Sequence, residues 1–385
     1  MSVGSLVAAR IAAHADQVIG LARQIHAHPE LGFEEKNASR WTAATLSKLG
    51  LETSTNAWGI PTAIAGSAGP GPLHVAILAE YDALPRIGHA CGHNLIAASA
   101  VAVANGLLPY VTELGIRLSV IGTPAEESGG GKQLLLDRGA FAGIHFAAMT
   151  HPGPRDVARP TVIALAGLDI TYRGRAAHAA AFPHHGVNAA DAATIAQVSL
   201  GLLRQQLEPA DRLHGIVTGG GTAPNIIPDR TSLRYMARAL TRERLDQVME
   251  RVRACFEAGA LASGADLELT EYLPRYSNMI HREDILQLYR KRATELGRTF
   301  EEGVTISTDM GNVSQHVPSI HPMIGLNCAA GNHEPEFATA CVGSAADTAL
   351  IDGATALART IVDVATDENL RTALQMEQSA TASPR

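Results

Sequence analysis

Residues 73–108, LHVAILAEYDALPRIGHACGHNLIAASAVAVANGLL, constrain the fold more than any other stretch. A short apolar run breaks into a turn carrying Glu80, Asp82, His89, Cys91 and His93. The chain then becomes apolar again for the length of a helix. A short β-branched run followed by a long alanine-rich one reads as a buried strand feeding a helix. The alternation continues with IRLSVIGTP as a strand, GGKQLLLDRGA as a helix and GIHFAAMTHP as another strand. Strands and helices alternating at this spacing predict an α/β layer with a largely parallel central sheet. In such sheets the working residues collect where strands end and loops begin.

Ahead of that stretch, Leu6, Ile11, Ala15, Val18, Ile19, Ala22 and Ile25 recur at helical intervals, which predicts one helix over 6–27. A second is expected over 35–49, stopping before Gly50. The character changes near residue 165. ALAGLDITYRGRAAHAA is a strand entering a turn, followed by a helix over 187–206, the strands LHGIVTGGG and TSLRYMARAL, the helix RERLDQVMERVRACFEAGAL and the strand DLELTEY. That order places helices on one side of a sheet, an α+β unit inserted over 166–277. The α/β part then covers 1–165 and 278–385, and 385 residues suit two cores better than one. The last dozen residues read as a frayed tail.

A formal charge of −7, with no lysine-rich tail or basic stripe, argues against nucleic acid as a partner. No 18-residue apolar run is present, so no membrane span is expected. Cys91, Cys255, Cys328 and Cys341 form neither a CxxC pair nor a disulfide framework, which points to a reducing, cytoplasmic setting. GTPAEESGGGKQ superficially suggests a phosphate loop. It fails because Glu126 stands where the first glycine belongs and Gln133 where Ser or Thr belongs.

Cys91, His93, Glu126, Glu127 and His151 follow three successive strands, so a parallel sheet delivers thiol, imidazole and carboxylate to one side. Asp82 and His89 are close enough in sequence to orient such groups. On the residues alone, three alternatives stand: a divalent metal site, a Cys91 nucleophile with His93 as its base, or a polar turn between core elements. The adjacent glutamates favour the first. One can stay ionised on a metal while its neighbour takes a proton from water and returns it to a leaving amine.

Together, AEYDALPRIGHACGHN, GTPAEESGGG, MTHPGP, GRAAHAAAFP and PNIIPD resemble the M20 metallopeptidase and amidohydrolase family over nearly the whole chain. The similarity is to its aminoacylase-like branch, which includes aminobenzoyl-glutamate hydrolases and dipeptidase-like members. The resemblance implies a catalytic α/β domain (1–165 and 278–385) interrupted by a ferredoxin-like lid (166–277) that also forms a homodimer. It implies two divalent ions, zinc or manganese, held by Cys91, His93, Glu127, His151 and His333, with Glu126 as general base and Asp82 supporting the ligands. In the lid, His178 would polarise the reacting carbonyl and Asn225 would hydrogen-bond the same region or the substrate carboxylate. Arg238 would pair with a terminal carboxylate, and His316 would enter the substrate pocket. His145 is left with a structural role, and His89 with a structural role or one supporting the ligands from behind.

Asn94 stands where aminoacylases often carry aspartate, AEYDALP replaces ADMDALP, and ISTDMGNVSQHVPSIHP is similar to the dipeptidase-like branch. The expected activity is therefore metal-dependent hydrolysis of the amide bond of small dipeptides with a free C-terminal carboxylate. The alternatives are an N-acyl or N-aroyl amino acid amidohydrolase, aminobenzoyl-glutamate included, and a non-catalytic metal- or peptide-binding protein.

Overall fold

Leu73–Ala79 is buried along its length except at His74, as a strand covered on both faces must be. In the computed structural model, which describes residues 1–381, it lies inside a six-stranded sheet. The order is Glu52–Thr55, Ile64–Ala68, Ile116–Gly122, Leu73–Ala79, Phe146–Ala148, Ser319–Ile320. The last four strands are mutually parallel. The first two pair antiparallel with each other, and Ile64–Ala68 pairs antiparallel with Ile116–Gly122. The sheet is thus mixed, because ETST and IAGSA, too short and polar to announce themselves, add an antiparallel edge.

His93–Leu107 is buried at every position. Its small side chains let Ser344–Thr366, Ala15–His26 and Val3–Ala13 pack against it. The helix expected over 6–27 is two helices, Val3–Ala13 and Ala15–His26, broken at His14, whose ring bonds the Arg10 carbonyl at 2.9 Å. GIHFAAMTHP also divides. Phe146–Ala148 belongs to the large sheet, while His151–Gly153 pairs in parallel with Met323–Gly325. The expected frayed tail is helical over Glu368–Thr381, and residues 382–385 lie outside the described ones.

The chain divides into two units, Met1–Thr161 with Met279–Arg385, and Val162–Asn278. The second is a four-stranded antiparallel sheet ordered Asp266–Glu271, Ala164–Arg173, Arg230–Ala239, Arg212–Gly219. Leu233, Tyr235, Ala237 and Ala239 point into a core shared with Ala189–Arg204 and Arg242–Ser263, while Arg234, Met236 and Arg238 alternate onto the other face. The edge strand Arg212–Gly219 leaves Ile216 64% and Val217 47% exposed. Among the described residues no helix is long and apolar enough to cross a membrane.

Candidate metal centre

The chain leaves Leu73–Ala79 still buried, so Glu80, Tyr81 and Asp82 run on through the interior. It reverses where Leu84 bridges Gly88, and Gly92, at φ +77°, starts the helix whose first residue is the buried His93. Glu126 and Glu127 follow Ile116–Gly122, and His151 opens the next parallel segment. His333, itself at φ +71°, is fastened by its amide to the Ala90 carbonyl at 2.9 Å.

These segments bring the expected donors together. Single donor atoms of Cys91, His93 and His151 lie within 4.8 Å of one another; so do those of Cys91, Glu127 and His333, and those of His93, Glu126 and Glu127. The triads share Cys91, His93 and Glu127, which makes the cluster one of dinuclear metal-binding type. Asp82 stands behind it. Its Oδ1 lies 2.8 Å from His93 Nδ1, and its Oδ2 accepts the Glu127 amide at 3.0 Å. His151 Nδ1 lies 2.7 Å from the Pro152 carbonyl. Both imidazoles are held by one nitrogen and present the other, the orientation that histidine ligands take. The His333 side chain is 60% exposed, with Nε2 3.5 Å from Glu127 Oε2.

Several observations fit a metal. His93 Nε2, Glu127 Oε1 and Glu80 Oε2 are buried without a hydrogen-bond partner, although buried polar atoms are normally paired. Thiol, imidazole and carboxylate together are the donor set of zinc and its neighbours. The electrostatics also call for positive charge. Burial, then Glu80 and Glu127, push the Glu126 carboxyl well above its usual range. At His93 burial opposes the charge, but Asp82 and Glu80 outweigh it and hold the ring's pKa well up. Burial, then Glu127, push the Cys91 thiol well up as well. A thiol nucleophile needs the opposite shift, so the surroundings disfavour a Cys91–His93 pair acting alone.

Lys132, Asp309 and Glu80 form a layer that sequence reasoning did not assign. Lys132 is fully buried, with Nζ 2.5 Å from Glu80 Oε1 and 2.5 Å from Asp309 Oδ1, and its amide donates to Asp309 Oδ2 at 2.9 Å. Glu80 Oε2 lies 3.3 Å from His93 Nε2. Burial would raise the Glu80 pKa, but Lys132 and His93 hold it at about 2. In the sequence, Glu80 stood out only as a member of the polar turn and Lys132 only as the lysine of GGGKQ. One glycine there is sterically required, because a Cβ on Gly131 would sit 1.8 Å from the Pro124 carbonyl oxygen. Asn332, also missed, reaches the Pro152 carbonyl at 3.2 Å and Cys91 Sγ at 3.9 Å.

The remaining residues lie elsewhere. His178, Asn225 and Arg238 belong to Val162–Asn278. His178 and Asn225 are exposed neighbours, with His178 bridged to Ile226 and the Asn225 carbonyl accepting the Ala179 amide at 3.0 Å. Arg238 is half-buried on the sheet face away from the helices. His316 is exposed and lines a groove with Ile280, Arg282 and Glu377 that holds none of the cluster residues. His145 accepts the His74 amide at 3.0 Å, a structural contact. His89 is buried with its ring centroid 6.1 Å from that of His26.

Residues 164–263 match the M20 peptidase dimerisation domain. The chain is 38% identical over 382 residues to the Xaa-Arg dipeptidase of Mus musculus, covering 93% of this chain and 88% of that protein. It is 30% identical over 281 residues to a p-aminobenzoyl-glutamate hydrolase chain of Escherichia coli, covering 66% and 58%. In fold it is similar to a putative aminohydrolase from methicillin-resistant Staphylococcus aureus, with TM-score 0.78, 20% identity, and coverage of 94% of this chain and 99% of that one. A dinuclear metal-binding peptidase from Bacillus subtilis gives TM-score 0.70 at 22% identity, with coverage of 91% and 98%. With a relative this similar across nearly its whole length and a dinuclear-type cluster at its strand ends, the chain belongs to the M20 family and is a metal-dependent hydrolase of the dipeptidase and amidohydrolase type.

Proposed function

We propose that this protein cleaves the amide bond of small dipeptides with a free C-terminal carboxylate, with arginine as a candidate C-terminal residue. The observation that carries the proposal is the pairing of Glu126 with Glu127. Adjacent in sequence, they both bring an oxygen to 3.9 Å from His93 Nε2. One carboxylate can then serve as ligand while the other moves a proton. The name and extent of the Mus musculus relative support the choice of dipeptides.

In this proposal Cys91, His93, Glu127, His151 and His333 hold two divalent ions, zinc or manganese, with Asp82 orienting His93 and Glu127. Such ions supply Lewis acidity, polarising a carbonyl and making water acidic. Glu126 accepts the proton of the attacking water and delivers it to the departing amine nitrogen. Val162–Asn278 is a ferredoxin-like lid in which His178 donates to the carbonyl oxygen as charge develops, Asn225 bonds the same region and Arg238 pairs with the substrate carboxylate. The exposed edge strand Arg212–Gly219 and the match to a dimerisation domain support a homodimer. The four free cysteines suit the cytoplasm.

A screen of the metal-reconstituted enzyme tests the proposal, pairing dipeptides with N-acyl amino acids and with C-terminally amidated counterparts and scoring released products. Turnover of free-carboxylate dipeptides, lost on amidation, is expected. Preference for amidated substrates contradicts the carboxylate clamp. Faster turnover of aminobenzoyl-glutamate moves the assignment to the amidohydrolase alternative.

A further inference from the structure

The residue before Glu126 is strained. Ala125 has φ +55°, a left-handed backbone that residues with a Cβ seldom adopt. Such a conformation is unfavourable and persists only where the surroundings over-determine it. Here they do. The Ala125 amide donates to Glu35 Oε1 at 2.8 Å, and its carbonyl accepts the Gly129 amide at 3.0 Å. Gly129 closes over it so tightly that a Cβ there would meet the Phe33 ring at 2.5 Å and the Ala125 methyl at 2.8 Å.

Glu35 is fully buried and is itself anchored. Thr62 Oγ1 donates to its Oε2 at 2.5 Å. Thr62 is a second left-handed residue, at φ +63°, with its amide on Asn56 Oδ1 at 3.2 Å and its carbonyl accepting the Tyr81 hydroxyl at 2.5 Å. A rigid path therefore runs from Tyr81, between Glu80 and Asp82, through Thr62 and Glu35 to the backbone that carries Glu126. Burial, more than any other influence, pushes the Glu35 carboxyl up to about 7, so the position suits an uncharged side chain.

We propose that Glu35 is a positioning residue for the hydrolytic reaction: by holding the Ala125 amide it fixes the left-handed turn that sets Glu126 and Glu127 side by side against the metal cluster. This rests on the proposed proton-transfer role of Glu126. Without the bond, Ala125 relaxes toward ordinary backbone angles and Glu126 swings off its line while the more distant ligands stay in place. Glutamine preserves the arrangement, because its oxygen accepts the Ala125 amide and its nitrogen donates to the Thr62 hydroxyl.

The test compares Glu35→Ala, Glu35→Gln and Glu126→Gln as metal-loaded enzymes, measuring kcat, KM, metal content and amide hydrogen exchange across residues 120–130. For Glu35→Ala the expected result is a drop in kcat of about 100-fold, the scale of a 1 Å misplacement. KM stays near wild type, metal content falls far less than kcat because Asp82 still holds the Glu127 amide at 3.0 Å, and the 120–130 segment exchanges faster. Glu35→Gln restores both kcat and protection. If Glu35→Ala fails to fold, Thr62→Ala, which removes one anchor of Glu35, is expected to show the same kcat loss and faster exchange in weaker form. A Glu35→Ala or Thr62→Ala enzyme with wild-type kcat and protection overturns the proposal, as does a Glu35→Gln enzyme as impaired as Glu35→Ala. Wild-type activity in Glu126→Gln instead overturns the role of Glu126, and the exchange data still report whether Glu35 holds the turn.

Discussion

Replacing Asp82 should weaken metal binding without touching a ligand. Its carboxylate is buried and serves two candidate ligands at once, meeting His93 Nδ1 at 2.8 Å and accepting the Glu127 amide at 3.0 Å. Asp82→Ala frees the imidazole to turn and strands the Glu127 amide with little water to replace its acceptor, a loss of about 1–3 kcal/mol for the amide alone. Removing an orienting partner typically lowers metal affinity about 10–100-fold, or about 1.4–2.7 kcal/mol. Because two ligands lose support together, Asp82→Ala belongs at the upper end of that range. Asp82→Asn presents one acceptor and one donor, so it keeps only one of the two bonds and should fall nearer the lower end. Chelator competition with zinc and with manganese, alongside metal counts after dialysis, reads the effect directly. Wild-type affinity in a folded Asp82→Ala protein would refute the inference that this carboxylate organises the cluster.

Other substitutions separate chemistry from architecture. Glu126→Gln should lower kcat by about 10²–10⁴-fold, the usual worth of a general base, while metal content stays unchanged; loss of metal would mark Glu126 as a ligand instead. Lys132→Met strips the cation from between Glu80 and Asp309 and should cost about 3–5 kcal/mol by chemical denaturation, a loss that shrinks in acid as the stranded carboxylates protonate. Glu35, at about 7 in the fold against 4.5 in the unfolded chain, holds its proton more tightly when folded. Its contribution to stability is complete below 4.5 and disappears as pH rises through about 7, a change of about 3 kcal/mol. Glu35→Gln should abolish that slope and gain on the wild type between about pH 5 and about pH 8 in denaturation experiments; parallel profiles for the two proteins would refute it.

Local pattern was enough to read the alternation of strands and helices, the change of character near residue 165, and the motifs holding Cys91, His93, Glu126, Glu127 and His151. Each of these rests on spacing within a few residues or on the end of a recognisable strand. Resemblance added His333, and the structure fastens it to the loop carrying Cys91 through the Ala90 carbonyl. What the tertiary structure alone decided are the contacts between distant residues. Lys132 meets Asp309 across 177 positions, and Glu35 meets Ala125 across 90. The antiparallel edge of the large sheet and the break at His14 were also invisible beforehand, because short polar strands and a single interrupted turn barely disturb hydrophobic periodicity. A buried lysine and a buried glutamate carry no periodic signature, since their burial is tolerated only where the fold brings them a partner. The sequence therefore determined which groups could do the chemistry. The packing of remote segments decided how those groups are charged, held and aimed.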